Sequence, residues 1–270
     1  MQLEIFDVEH GACALLTADN GTRLMIDCGH NATTGWKPGT YLINKGIRYL
    51  DMLAITNYDE DHASGLPNLI ANVDIGWLWR NKSVTPQTIT TLKSEYGMGK
   101  GIETLVNMAS NYCGGGSTAS PDFTGVERQC FYNNYPSFDD ENNLSMVVFL
   151  KCNGINFLFP GDIECAGWLK LLQDDPSFRR AVAETTVLIA SHHGRENGIC
   201  QEIFDVHGCK PQLIIISDDY HQYNTQKTVN YYASKARGIE NFRGYPRTVL
   251  TTRKDGDITF NFNQGSCSVY

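Results

Sequence analysis

Several features that mark particular classes of protein are missing from this sequence. No apolar run approaches the ~18 residues of a membrane-spanning helix, and the chain opens in a strand pattern, MQLEIFDVEH, without a signal-peptide pattern. Nine cysteines occur but none forms a CxxC pair, so a zinc site built from cysteines is not indicated. Their odd number and apolar surroundings favour reduced, buried thiols, and we expect a cytoplasmic protein with no membrane partner.

An excess of basic residues is also missing. The 22 Lys and Arg residues stand against 30 Asp and Glu residues, giving a formal net charge of -8. Sequence-independent binding of long duplex nucleic acid needs a basic surface, so this class is disfavoured. A small phosphodiester, or a short strand held mainly through a metal ion, is compatible with the charge. The length of 270 residues fits one large domain or two small ones, and we interpret it as a single domain, 1–270.

A dense polar segment follows the apolar strand pattern at 50–56. Asn57, Asp59, Asp61 and His62 leave the strand end within one tight turn. Clustered carboxylates repel each other unless a cation neutralises them. Oxygen and nitrogen ligands at this density suit Zn²⁺, Mn²⁺ or Fe²⁺. The alternative is a solvated acidic loop that caps a helix.

Further polar groups follow later strand patterns. Asp162 comes directly after a buried strand and Gly161, where it points away from the sheet edge or caps a helix. His192 and His193 follow the apolar run 186–190, a weak signal on its own. The strand at 211–217 ends in SDDYHQYNT. These strand ends predict one shared polar site.

Together these segments resemble the metallo-β-lactamase fold, in the form found in ComEC-like proteins. The resemblance is carried by LDMLAITNYDEDHASGLPNLI, DVEHGACALLTADNGTRLMIDCG, NNLSMVVFLKCNGINFLFPGDIE and SHHG. The first segment matches the HxDxDH form of the family motif, except that Asn57 stands at the first His. Thr225 stands where the family's N-x-YGHP loop has its His. The resemblance implies an α/β (α+β) fold, a four-layer αββα sandwich with metal ions at one edge between its two sheets.

The resemblance also implies residue roles and a divalent cofactor, Zn or Mn, as one or two ions. One ion would be held by Asp61, His62, Asp162 and His192. A second would rely on Asp59, Asp162 and Asn57, with Asn143 as a further candidate. Because the second set lacks imidazoles, it would prefer harder ions such as Mn²⁺ or Mg²⁺.

Other residues are predicted to act near the metal. Asp61 and His193 are candidate catalytic residues, and His193 lies behind the ligand or faces the substrate. His221 is a candidate general acid in place of the missing family His. Asp27 either orients a ligand or caps a turn. The candidate substrate-binding residues are Asn143, Tyr223 and Thr225.

Residues 81–135 depart from the family pattern. Helical spacing at 85–112 is broken at 97–101 and followed by the loop CGGGSTASPDFTGV. We predict a helical insertion and a flexible loop beside the site, acting as a lid or an interface. Basic residues there either supply local positive charge or lie on a solvated surface: Lys82, Lys93, Lys100 and Arg128.

The predicted function is metal-dependent hydrolysis of a phosphodiester, as in a nuclease, since ComEC-like members are associated with nuclease activity. The alternative is a catalytically weak binding or regulatory subunit of a bacterial defence or DNA-processing system, with a protein partner from a neighbouring gene. Hydrolysis of a thioester or lactone is a third option, and β-lactam hydrolysis is not indicated.

Overall fold

The structure is a computed structural model that describes residues 1–95, 97–112, 119–221, 223–263 and 265–270. The strands are β1 (Gln2–Ile5), β2 (Ala14–Thr17), β3 (Arg23–Ile26), β4 (Tyr49–Ala54), β5 (Asp74–Trp79), β6 (Val126–Tyr132), β7 (Met146–Cys152), β8 (Ile155–Phe159), β9 (Val187–Ile189), β10 (Leu213–Ile216), β11 (Ile239–Phe242), β12 (Tyr245–Arg247), β13 (Val249–Thr251), β14 (Ile258–Asn263) and β15 (Ser266–Val269). The α-helices are α1 (Pro38–Asn44), α2 (Leu66–Ile70), α3 (Pro86–Leu92), α4 (Lys100–Asn111), α5 (Cys165–Asp174), α6 (Pro176–Glu184), α7 (Gln201–Asp205), α8 (Val229–Lys235) and α9 (Thr252–Asp255).

Two sheets pack face to face between two layers of helices. The first sheet has the strand order β15-β14-β1-β2-β3-β4-β5, and the second has β13-β10-β9-β8-β7-β6. One buried apolar cluster lies between the sheets. A second cluster joins the first sheet to α1, α2, α3 and α4, and a third joins the second sheet to α5, α6, α7 and α8. This arrangement confirms the predicted four-layer αββα sandwich.

Strand β7 shows why the sequence forms these layers. Its side chains alternate between the two faces of the sheet. Met146, Val148 and Leu150 enter the cluster between the sheets, whereas Val147 and Phe149 enter the cluster beneath α5 and α6. Because both faces are covered, the strand is apolar almost throughout instead of alternating with polar residues.

The apolar spacing at 168–183 predicts one continuous helix, and this prediction is wrong. The chain forms two helices, α5 and α6, that meet at Asp175 and Pro176. Pro176 has no backbone N–H and occupies the first turn of α6. The Asp175 carboxylate accepts hydrogen bonds from the backbone N–H groups of Ser177 and Phe178, at 2.7 and 3.3 Å. This cap starts a new helix where the apolar spacing had indicated a single one.

Residues 81–135 contribute to both halves of the sandwich. Ile89 of α3 and Leu105 of α4 are buried against the first sheet. The sequence prediction contained no strand here, but β6 pairs antiparallel with β7 along its whole length. Part of the predicted flexible loop, 113–118, lies outside the described residues. Within the described ranges, the longest helix has 12 residues, and none is long and apolar enough to cross a membrane.

Candidate metal centre

Four metal-ligand side chains converge at one edge of the sandwich. Asp61, His62, Asp162 and His193, here called the four-residue cluster, each offer an atom within 4.8 Å of the others. They come from the segments that follow β4, β8 and β9. Since β8 and β9 run parallel, their carboxyl ends lie at the same edge of the second sheet. The structure therefore brings three of the predicted strand-end segments together, those that follow β4, β8 and β9.

The loop that carries Asp61 and His62 is fixed by its backbone. The Cys28 N–H donates to the His62 carbonyl at 2.9 Å. Gly11 and Gly29 lie so close that a Cβ at either position would be 2.7 Å from the Asp61 carbonyl oxygen. Side chains at these two positions would push the loop away, so glycine allows the ligand-bearing loop to lie against its neighbours.

Asp27 holds His62 from behind. The buried His62 ring places Nδ1 2.9 Å from Asp27 Oδ2 and Nε2 3.1 Å from Asp162 Oδ1. Asp27 in turn accepts hydrogen bonds from the Thr56 backbone N–H and hydroxyl. Because Nδ1 faces the Asp27 carboxylate, Nε2 is the atom directed into the cluster. This contact favours the orienting alternative for Asp27.

His193 reaches the cluster through an unusual backbone. His192, His193 and Gly194 all have left-handed φ angles, 51°, 52° and 72°. For residues with a side chain this conformation costs roughly 1–2 kcal/mol each. The Gln226 side chain donates to the His193 carbonyl at 3.2 Å. His193 Nδ1 lies 3.1 Å from the Ser217 carbonyl, so Nδ1 carries the donated proton and Nε2 faces the carboxylates.

The two adjacent histidines differ in position. His193 Nε2 lies 3.1 Å from Asp61 Oδ2 and 3.5 Å from Asp162 Oδ2. His192 Nε2 is 3.8 Å from the same Asp162 oxygen, and its Nδ1 is 3.7 Å from Glu164 Oε1. The structure thus places His193 inside the cluster and His192, named as the ligand from the sequence, at its margin.

The pKa values within the cluster show a strong preference for positive charge. Burial alone would raise the pKa of Asp162, but the charges of His193 and His62 hold it well below its usual range. Burial disfavours both imidazolium ions, yet Asp162 and Asp27 raise the pKa of His62. Asp162 and Asp61 likewise raise the pKa of His193 to about 10. A divalent cation would supply the same charge in place of the two protons.

The donor set of the cluster fits a divalent metal ion. Both His62 and His193 use Nδ1 for a contact outside the cluster and direct Nε2 toward Asp162. His193 Nε2 is buried and has no partner with hydrogen-bond geometry. Two imidazoles and two carboxylates suit Zn²⁺ or Mn²⁺.

The residues predicted for a second metal are engaged elsewhere. The Asn57 side chain is fully buried; its Oδ1 accepts from the Asp59 N–H at 2.7 Å and its Nδ2 donates to Ser145 Oγ at 3.1 Å. Asn143 Oδ1 accepts from the Gly167 N–H at 2.9 Å. Both amides therefore connect loops around the site.

Asp59 faces a lysine. Lys93 Nζ contacts Asp59 Oδ1 and lies 2.8 Å from Glu141 Oε1. We call these three residues the lysine pocket. Burial raises the pKa of Asp59, and the neighbouring Lys93 ammonium opposes that effect. Burial lowers the pKa of Lys93, but the charge of Asp59 raises it, and the net result is a pKa above the ordinary value. The ammonium therefore keeps its charge at neutral pH.

A basic and aromatic group missed by the sequence analysis lies on the other side of His193. The rings of His10 and His193 are 4.6 Å apart, and the Arg195 guanidinium donates to His10 Nε2 at 3.0 Å. Burial, His193 and Arg195 lower the pKa of His10 to about 4, despite the opposing Asp61 charge. Arg195 also lies 4.7 Å from the ring centroid of Tyr223. The His10-Gly11 turn between β1 and β2 was the available signal.

The remaining predicted residues lie farther out. His221 is exposed, with its ring 5.2 Å from that of Tyr223. Thr225 is exposed in the short turn Asn224–Gln226. The structure therefore brings Tyr223 against Arg195 and His10, and leaves His221 and Thr225 at the surface.

Comparison with known proteins adds sequence and structural relatives. No protein-family model matches the chain. It is similar to ComE operon protein 3 of Bacillus subtilis (strain 168), with 23% identity over 237 residues, covering 85% of this chain and 27% of that protein. It is also similar to ribonuclease Z of Lachnospira eligens, with 34% identity over 92 residues, covering 34% of this chain and 26% of that protein. The chain thus spans about a quarter of the length of each.

Among solved structures, the chain resembles Zn²⁺-bound PqqB from Methylobacterium extorquens. The TM-score is 0.53 at 11% identity, covering 97% of this chain and 100% of PqqB. The two-sheet sandwich, with histidines and carboxylates clustered at one edge, defines the structural class. The chain shares the two-sheet αββα fold of PqqB, which is the architecture that the sequence resemblance to the metallo-β-lactamase fold implies.

Proposed function

We propose that this chain is a metal-dependent hydrolase of the ComEC-like group that cleaves phosphodiester bonds, in nucleic acid or in a smaller substrate. The observation that carries the proposal is the four-residue cluster, in which two imidazoles and two carboxylates converge. The similarity to ComE operon protein 3 over 85% of the chain supports the group. The shorter match to a ribonuclease supports a phosphodiester substrate.

Asp61, His62, Asp162 and His193 would hold the ion, and Asp27 would fix the His62 ring behind it. When bound, a divalent ion supplies positive charge that lowers the pKa of a nucleophilic water and neutralises a phosphoryl oxygen. Zinc and manganese both fit these donors.

The chain itself supplies other parts of the reaction. The Asp61 side chain is 28% exposed, whereas those of His62 and Asp162 are almost fully buried. Substrate therefore approaches on the Asp61 side. The Asp61 carboxylate accepts a proton from the attacking water. Arg195, charged and beside His10, binds the phosphodiester oxygens. Because His221 lies at the surface beyond Tyr223, the leaving oxygen takes its proton from solvent.

The test pairs metal content with hydrolysis. Elemental mass spectrometry of the purified protein is expected to find about one metal ion per chain, lost in Asp61→Ala. Hydrolysis of bis(p-nitrophenyl) phosphate with added Mn²⁺ is expected to be lost with it. The matched control is Asp174→Ala, which removes an exposed carboxylate paired with Lys170 on α5. Absence of metal in the wild type after loading with Mn²⁺ or Zn²⁺ would overturn the proposal.

The same experiment addresses the alternative of a binding or regulatory subunit. That alternative predicts metal in the wild type but no cleavage of bis(p-nitrophenyl) phosphate, single-stranded DNA or single-stranded RNA. Metal-dependent cleavage of any of the three supports the hydrolase.

A further inference from the structure

The lysine pocket adjoins the four-residue cluster through a shared loop. Asp59 and Asp61 are two residues apart, and Asp61 belongs to the cluster whereas Asp59 contacts Lys93. Lys93 follows directly after α3, within the 81–135 segment that departs from the family pattern. Its side chain is only 11% exposed, and both of its carboxylate partners are within ion-pair distance. A largely buried ammonium with two carboxylate partners belongs to the site and not to the solvated surface.

The negative charge of the pocket is partly balanced by the chain. Two carboxylates close together require a nearby cation, and the Lys93 ammonium provides one to Asp59 and Glu141 together. A compact ammonium bears three donors and satisfies two carboxylates at once. A metal ion bound by Asp59 would have to displace this ammonium or lie against it.

The other donors expected for a second ion are also committed. Asn57 Oδ1 accepts the Asp59 N–H. Both oxygens of Asp162 face imidazoles of the four-residue cluster, Oδ1 toward His62 and Oδ2 toward His193, where the single ion would bind. Among the His, Cys, Asp and Glu side chains of the described residues, Asp59 belongs to no group with metal-ligand spacing.

We propose that the Lys93 ammonium takes the place of a second metal ion, so that this chain binds a single divalent ion, in the four-residue cluster. The inference rests on the proposed metal-dependent function and defines its metal stoichiometry. The site carries a fixed monovalent charge on the Asp59 side and an exchangeable divalent charge on the His193 side. The concentration of available metal ion then controls the occupancy of one metal position and not of two.

The test measures metal stoichiometry by native mass spectrometry during titration with Mn²⁺. The wild type is expected to bind one ion. Lys93→Met removes the ammonium and frees Asp59 and Glu141, and it is expected to bind two. The double variant Lys93→Met/Asp59→Asn is expected to return to one, because a second ion then lacks its main carboxylate. Lys170→Met, which removes a lysine of an exposed pair on α5, is the matched control and stays at one.

Three outcomes would contradict this inference. A wild type that binds two ions with similar affinity overturns it, and this result needs no variant to fold. A folded Lys93→Met protein that still binds one ion overturns it while leaving the proposed function intact. A wild type that binds no ion overturns the proposed function itself. The thermal unfolding midpoint of each variant shows whether it is folded, and Lys93→Gln replaces Lys93→Met if the latter is not.

Discussion

The four-residue cluster and the lysine pocket are built from similar carboxylates but face different kinds of cationic group. In the cluster, Asp61 and Asp162 face imidazoles, whose protons a metal ion can displace. In the pocket, Asp59 and Glu141 face the Lys93 ammonium, which keeps its proton at neutral pH. The same loop thus carries one carboxylate toward an exchangeable charge and another toward a permanent one.

This difference explains why equivalent residue types need not bind equivalent numbers of metal ions. A histidine supplies either a proton or a lone pair, depending on whether metal is present. A lysine ammonium supplies only donors and excludes a cation from its position. The number of metal-ligand residues in the sequence is therefore a weak guide to how many metal ions bind. The charged group that faces each ligand in the folded chain is a better one.

The largest expected effect comes from removing the central carboxylate of the cluster. Asp162→Asn takes away the charge shared by His62 and His193, and metal affinity should fall by more than the ~100-fold that loss of an outer partner can cost. Asp59→Asn should leave metal content at one ion per chain, because its carboxylate faces Lys93. Elemental analysis after dialysis against trace Mn²⁺ compares the two. Equal loss of metal in both variants would break the contrast between cluster and pocket.

A smaller effect is expected behind the cluster. Asp27→Asn keeps the shape of the side chain but removes the charge that orients His62, and metal affinity should fall about 10- to 100-fold. Competition with a fluorescent chelator measures that affinity. Asp175→Asn, which alters only the cap of α6, is the control and should bind metal like the wild type. An Asp27→Asn protein with unchanged affinity would assign Asp27 to turn capping alone.

The next prediction concerns the protein freed of metal by chelation. The folded-state pKa of His193, about 10, lies above the ordinary value of 6.5. The stability that its charged form contributes is fully present below pH ~6.5 and is lost as pH rises toward 10, by at most about 1.4 kcal/mol per pH unit. Urea unfolding of the metal-free protein between pH 6 and 10 should show this decline. Metal-loaded protein should not share it, since metal binding has already displaced the proton.

Much of the fold was predictable because burial imposes a period on the sequence. The apolar run of β7 and the alternation in β1 and β14 predict sheet faces directly. The break between α5 and α6 was missed because Phe178 and Ala181 continue the apolar spacing across the Asp175-Pro176 pair. Strand β6 was missed because its exposed and half-buried residues alternate at the edge of the sheet, where the apolar signal is weak.

The candidate site was predictable in its position more than in its detail. Asp61, His62 and Asp162 follow strands within recognisable motifs, and the structure brings them together. The choice between His192 and His193 depends on three successive left-handed residues, stabilised by contacts from distant loops. The sequence around His192 and His193 carries no pattern that indicates such long-range contacts, so it could not decide between them.

The smallest effect is expected at the edge of the lysine pocket. Glu141→Gln removes one of the two partners of Lys93 and leaves the contact with Asp59. The Glu141 side chain is 23% exposed, so water compensates much of the loss and the free energy of unfolding should fall by at most about 1 kcal/mol. Metal content should stay at one ion, because the ammonium still occupies the pocket. Urea unfolding and native mass spectrometry measure the two quantities, and a second bound ion in this variant would mean that Lys93 needs both carboxylates to exclude it.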